Sequence, residues 1–492
     1  MMPEPSGEDA RDAARGDSWA RRFDALNGFF RFDAYELRAT AILVARWLVL
    51  GASVGTLAGV ASAVFLVVLA WATAARTANG WLLWLLPAAG FLLGWLYDRY
   101  GGLAILGNNL VIEEVHSNSR PIPLRMAPMV LVGTVLTHLF GGSAGREGTA
   151  IQMGSSLADG LSRLLRLSPE TRRLMITAGI GGGFGAVFGT PLAGFVFALE
   201  VQRVGRIGYE GVVPAFVAAV FGDLVVRALG VPHAEYPLLA NVGVDVLLLA
   251  KVGLAGIAFG LTSLLFIELT HAIRHLSRML TRWLPLRLVV GGTAVILLTL
   301  MLGTTDYLGL SLPLIERSLT GAGVVALAFL LKLIFTATTL GTGYLGGEVT
   351  PLFVIGATLG YTLGRLLGVD PAFLATIGFV AVFAGAANTP LACTIMAVEL
   401  FGGGSALYIG LGCFAAYLFS GHRGIYGTQR IHVPKVASAD IQPDEPLEHF
   451  AARHPGWLPK RWFTGRGTRF DPQPGTAPRL GNDEDAVKQK AD

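Results

Sequence analysis

The sequence predicts an all-α integral membrane protein, and three observations carry that prediction. First, the 492 residues hold only 15 % charged side chains at a mean hydropathy of +0.57, whereas soluble chains carry about 25 % charge. Second, residues 47–75 contain no ionisable side chain, and about 20 apolar residues suffice to cross a hydrocarbon core. Third, apolar runs recur down the chain without the strict alternation of a membrane β-barrel. A lipid-embedded backbone must then satisfy its hydrogen bonds within helices.

From the N-terminus, residues 1–40 form a charged tail without the short apolar core and cleavage site of a signal peptide, so this end is expected to stay cytoplasmic. The membrane body follows over 41–430, with apolar segments near 47–75, 78–96, 127–140, 174–200, 212–226, 243–270, 288–303, 322–340, 349–367, 373–400 and 405–420. Several of these are short or interrupted by Gly and Pro, so half-spanning helices are expected among full ones. The 64 glycines fit helices that approach closely, since small residues let membrane helices pack backbone to backbone. Residues 431–492 are rich in Pro, Gly and mixed charge, which points to a disordered or loosely docked tail.

Composition also excludes function classes. A net charge of +4 without a basic patch gives no basis for a nucleic-acid partner. The two cysteines, Cys393 and Cys413, lie in apolar segments and read as buried thiols. No Walker A loop, HExxH or zinc-like spacing occurs, so neither a metal nor another cofactor is expected. The stretch GGSAG (141–145) matches the nucleophile-elbow pattern around Ser143, but that motif needs a soluble α/β sheet. An enzyme is not expected.

The body contains an internal repeat. TPLAGFVFALE runs from Thr190 to Glu200 and TPLACTIMAVE from Thr389 to Glu399; upstream, GREGTAIQMGSSLADGLSRLL (145–165) parallels GGEVTPLFVIGATLGYTLGRLL (346–367). Order and offset agree, which divides the body into repeat 1 (41–240) and repeat 2 (241–430). Duplicated membrane halves suggest a transporter or channel with an ion site between them, built from interrupted helices.

Both repeats place a glycine-rich stretch at a helix start, GREGT and GGEVTP. A helix start presents free N–H groups and about half a positive charge, so it can hold an anion without a full cation. Glu147 within GREGT is therefore an anion tethered to an anion site. Deprotonated, it can occupy the site; protonated, it can swing aside and admit the ion. The other readings of the same residue are a structural pairing with Arg146 or a helix-start charge exposed at the interface.

GREGT, TPLA, GGEVTP and the tyrosine of GHRGIYGTQR together resemble the CLC family of chloride channels and anion/proton antiporters, over roughly residues 50–430. The resemblance implies two inverted halves, about eighteen helices of uneven length, and a homodimer with one pathway per subunit. It implies that Glu147 is the gate and proton carrier, with Arg146 and Gly148 at the same helix start. Val349 and Thr350 match the second helix start, Tyr426 matches a tyrosine facing the ion, and Asn108 in GNNLV stands where chloride-selective members carry serine. Departures are informative: Thr149 and Val111 replace prolines of the family pattern, and Val201 replaces a glutamate used for proton transfer on the inner side. GGEVTP joined to GREGT resembles the bacterial fluoride-transporting branch, in which Glu348 would assist proton transfer and Thr350 would contact the ion. A Thr hydroxyl and an Asn amide suit a small, strongly hydrated anion.

The expected function is thus fluoride/proton antiport across an inner or plasma membrane, with anion, protons and lipid as partners and both termini cytoplasmic. A chloride channel or chloride/proton exchanger is the alternative within transport; a membrane scaffold or sensor on the same fold is the alternative outside it. Glu200 and Glu399, at matching helix ends, are expected to be solvent-exposed or to pair between helices. His138 is expected to be packed with a satisfied hydrogen bond, and Lys251 and Lys332 to snorkel to the interface.

Overall fold

The computed structural model describes residues 34–454 apart from 240, 437–440 and 443, so most of the 1–40 tail and the far part of the 431–492 tail lie outside the described residues. Among the described residues there are 17 α-helices, and sixteen of them fall into two sets with the same order. The first set is α1 (Ala34–Ala78), α2 (Leu86–Tyr100), α3 (Asn108–Ser117), α4 (Met126–Leu139), α5 (Glu147–Leu164), α6 (Pro169–Phe188), α7 (Pro191–Glu200) and α8 (Val212–Ala228). The second is α9 (Val246–Leu280), α10 (Leu284–Leu302), α11 (Leu312–Leu319), α12 (Ala328–Thr342), α13 (Val349–Leu367), α14 (Pro371–Ala387), α15 (Pro390–Phe401) and α16 (Ala406–Phe419). Six helical stretches are long and apolar enough to cross a membrane, which makes this a multi-pass membrane protein. At about 1.5 Å per residue, the ten residues of α3 or α7 reach only about half of a hydrocarbon core of roughly 30 Å. These are the half-spanning helices that the Gly and Pro interruptions predict.

Helix starts follow local chemistry. Pro opens α6, α7, α14 and α15, where its missing N–H costs nothing. The side chains of Ser168, Asp245 and Asp370 cap α6, α9 and α14 by accepting from Thr171 N, Leu248 N and Ala372 N. Close approach explains where glycine sits: a Cβ on Gly179 of α6 would lie 2.7 Å from the Gly154 carbonyl oxygen of α5. The equivalent pair Gly378 and Gly356 makes the same contact between α14 and α13.

The halves meet as an inverted pair. Gly145 N donates to Gly347 O at 2.6 Å and Gly347 N donates to Gly145 O at 2.8 Å, an antiparallel exchange between matching loops. A second reciprocal contact joins the ends of α7 and α15. The Glu200 carboxylate accepts from Leu391 N at 3.1 Å and Ala392 N at 2.8 Å, while Glu399 accepts from Leu192 N at 2.9 Å and Ala193 N at 2.7 Å. Of the two readings open for these glutamates, the structure selects interhelical pairing, and the partner is a helix start with free N–H groups.

The structure departs from two expectations. Lys332 does not reach an interface: it is 0 % exposed. Its ammonium stays inside because carbonyls and hydroxyls surround it, a surrounding that composition cannot reveal. The segment from 431 is not uniformly irregular either. Strand β2 (Arg430–Ile431) pairs with β1 (Arg203–Val204) and β3 (Glu445–Pro446), and α17 (Leu447–Arg453) follows. Leu447 and Phe450, one helical turn apart, bury against Val204 and Ile431, supplying an apolar anchor that the polar average of the tail conceals.

Candidate anion site

The site forms where the glycine-rich loops meet. Gly145 and Gly347 bring the starts of α5 and α13 together, and the Glu147 side chain, fully buried, crosses between them. Its Oε2 accepts from Arg146 N at 3.1 Å and from Thr350 N at 3.1 Å, so each half contributes one backbone N–H to the same carboxylate. Thr350 Oγ1 donates to Glu147 Oε1 in a short hydrogen bond, and Arg146 Nε lies 3.4 Å from that oxygen. The carboxylate stands for an anion: N–H groups, a hydroxyl and the positive ends of two helices would hold a halide in the same way.

Beside this seat, polar groups converge on Gly148. A Cβ there would lie 2.8 Å from Asn108 Nδ2 and 3.6 Å from Glu348 Oε2, so glycine keeps open the space that these two side chains border. Three buried oxygens near the seat have no hydrogen-bond partner among the described residues: Asn108 Oδ1, Glu348 Oε2 and Tyr426 Oη. Tyr426 lies within electrostatic reach of both Glu147 and Glu348. Val349, the first residue of α13, is fully buried between Glu348 and Thr350. The structure therefore brings Asn108, Arg146, Glu147, Gly148, Glu348, Val349 and Thr350, singled out from the sequence, to the two helix starts, with Tyr426 within electrostatic reach of Glu147 and Glu348.

Several neighbours carry no motif. Tyr236, in the connection before α9, lies within electrostatic reach of Arg146 and Glu147 and packs on Phe379 and Phe401 at 5.5 and 5.4 Å. Nothing in its local sequence separates it from an ordinary loop tyrosine. Arg274 on α9 lies within reach of Glu348; only the packing of α9 against Gly341, through Ile273 and the Thr270 carbonyl, places it there. Thr149 holds a hydroxyl contact of 2.7 Å with Thr134, tying α5 to α4. Val201 is 1 % exposed and offers no titratable group beside Glu200. His138 is packed as expected, with ring nitrogens 2.8 Å from Thr134 O and 3.0 Å from Ala144 O. Among the described residues no cluster of His, Cys, Asp or Glu could hold a metal ion.

Comparison with known proteins bears on the family and the fold. Residues 89–421 match the voltage gated chloride channel family. The chain is 48 % identical over 394 residues to a chloride/fluoride channel protein of Pseudomonas syringae pv. tomato, covering 79 % of this chain and 87 % of that one. An H(+)/Cl(-) exchange transporter of Vibrio cholerae is 29 % identical over 307 residues, 59 % of this chain and 65 % of that one. Among solved structures, a CLC-type fluoride/proton antiporter superposes with a TM-score of 0.77 at 33 % identity, covering 82 % of this chain and 100 % of the other. A slow cyanobacterial Cl-/H+ antiporter gives 0.68 at 20 % identity over 76 % and 94 % of the two chains, a likeness of fold. With the match spanning most of the membrane body, the chain belongs to the CLC family of voltage gated chloride channels and their transporter relatives.

Proposed function

We propose that this protein is a fluoride/proton antiporter that exports fluoride across the bacterial inner membrane, as a homodimer with one pathway per subunit and cytoplasmic termini. The observation that carries this reading is the Glu147 carboxylate lying on an N–H from each half and on the Thr350 hydroxyl. A tethered carboxylate and a free fluoride then compete for one seat. Fluoride displaces Glu147 when the carboxylate takes a proton, because the neutral acid no longer gains from the positive helix ends. Deprotonation returns it. Each cycle therefore moves the anion one way and the proton the other.

Glu348 continues the proton path. Its unpartnered Oε2 borders the same space over Gly148, and Arg274 lies within electrostatic reach of it, so a proton can pass between Glu147 and Glu348 without a glutamate at 201. Selectivity for fluoride rests on strong donors replacing its water, namely the Thr350 hydroxyl, the Asn108 amide and the two backbone N–H groups. Lipid surrounds the helices as the bulk solvent of the fold.

Reconstituted liposomes test this reading. The wild type is expected to move fluoride faster than chloride under equal gradients and to take up protons against it. Glu147→Gln is expected to keep anion movement and lose the proton movement. Chloride moving faster than fluoride would shift the assignment to chloride/proton exchange, the reading that the Vibrio relative's name favours. A Gln variant still pumping protons at the normal ratio would remove Glu147 from its role.

A further inference from the structure

The turn that precedes the anion seat is held more firmly than a connecting loop requires. Helix α12 presents Lys332, Thr336 and Thr339 at a spacing that puts them on one face, and all three bind Ser143. Lys332 Nζ donates to Ser143 Oγ at 2.9 Å, Thr336 Oγ1 shares a hydrogen bond of 2.9 Å with the same oxygen, and Ser143 N donates to Thr339 Oγ1 at 3.1 Å. All four side chains are 0 % exposed. The same ammonium reaches across to the connection between α10 and α11, donating to Gly309 O at 2.7 Å and Ser311 Oγ at 2.8 Å, with Tyr307 O at 3.2 Å as a shared fourth acceptor for its three N–H groups. No ion pair joins Lys332 to a carboxylate among the described residues, so neutral oxygens alone hold it.

Burying an amine in this way is unfavourable unless its donors are used, and here they are used on two loops at once. A further contact joins the same loops, Gly309 N donating to Gly142 O at 3.2 Å, and Gly142 N donates to Thr137 O at 2.7 Å, tying the turn to the end of α4. Ser143 is two residues from Gly145, so its Cα lies within about 8 Å of the glycine that pairs with Gly347. Moving the serine therefore moves the backbone exchange on which both helix starts converge.

We propose that Lys332 and Ser143 are positioning residues for the anion seat: the α12 clamp fixes the 141–145 turn so that Gly145 pairs with Gly347 and both helix starts aim at one point. This rests on the transport reading above, and it gives Ser143, the centre of an elbow-like motif without a hydrolase around it, a mechanical task. Loss of the clamp loosens the seat without touching any atom that contacts the anion. The resulting defect is weaker anion binding and leakier proton coupling.

Ser143→Ala, Lys332→Met and Lys332→Arg in liposomes, beside the wild type, test the clamp. Ser143→Ala and Lys332→Met are expected to raise the apparent KM for fluoride roughly tenfold, the scale of a lost hydrogen bond to a charged group, and to lower the protons moved per anion. Lys332→Arg, which keeps charge and donors, is expected to restore the ratio in part. Wild-type KM and ratio in both loss variants would overturn the proposal, whatever their thermal stability. Should those two fail to yield monodisperse protein, Thr336→Val carries the same readouts. Failure of all three to fold would assign the clamp to folding alone and overturn it too. If the wild type carries chloride in place of fluoride, the same shift measured on chloride supports the clamp while the fluoride assignment falls.

Discussion

At the scale of single residues, the site turns on the exchange between Glu147 and Thr350. The threonine gives the carboxylate both its backbone N–H and its hydroxyl, whereas the other half contributes the Arg146 N–H, with the Arg146 guanidinium 3.4 Å from the second carboxylate oxygen. Removing the hydroxyl leaves the backbone donor in place and takes away the side-chain donor that the second half contributes. Thr350→Val is therefore expected to lower fluoride affinity about tenfold, as one charge-assisted hydrogen bond would, with a smaller loss for chloride, whose weaker hydration demands less of its donors. Paired fluoride- and chloride-electrode recordings of efflux check this; equal losses for both ions would separate Thr350 from selectivity. Glu147 and Thr350 were legible in the sequence because a carboxylate and a hydroxyl at two matching glycine-rich helix starts are chemically conspicuous. Lys332 was not. A lone lysine in an apolar run reads as snorkelling, and the oxygens that keep it inside belong largely to the backbone of residues 307–309 and to Ser143, which are distant in sequence.

At the scale of elements, the reciprocal glutamates show what duplication does for stability. Helices α7 and α15 start with a proline and lack a side-chain cap of their own, so their free N–H groups would be left buried between the halves. Each receives the carboxylate from the end of the other, Glu399 for α7 and Glu200 for α15. A negative charge at a helix start also gains from the dipole. Glu200→Ala is expected to destabilise the protein by about 1–2 kcal/mol, the upper range of a lost cap, and Glu399→Ala by less, since it is the more exposed of the two. Denaturant unfolding in detergent measures both. Glu200→Gln, which keeps one acceptor oxygen, should fall between; an alanine variant as stable as the wild type would mean that water serves those N–H groups equally well. The repeat itself was legible as TPLA…E in both halves, but the pairing was not, because periodicity gives helix ends and only the inverted docking of the halves says what each end meets.

At the scale of the whole molecule, the inverted arrangement makes the tail testable as a separate question. The proposed anion seat lies between the halves, and the described residues of 430–453 attach elsewhere, through β2 pairing with β1 and through Leu447 and Phe450 packing on Val204 and Ile431. Tyr426 lies close before β2 in the chain, so the docked segment also fixes where that tyrosine enters the site: Leu447 N donates to Gln429 O and Glu448 N to Gly427 O, both at 2.9 Å. Two truncations should then behave differently. Deleting 455–492 leaves every described contact of β1, β2 and the seat in place, and transport is expected to keep its rate and proton ratio. Deleting from 441 onward also removes Leu447, Phe450 and the two N–H donors that hold Gly427 and Gln429; it is expected to lower the proton ratio and the thermal midpoint together, since Tyr426 loses its anchor. Fluoride efflux and pH recordings on the same vesicles distinguish these outcomes. A protein serving as a sensor through its tail would show the reverse pattern, with its output lost on the shorter deletion while ion flux stays irrelevant to it.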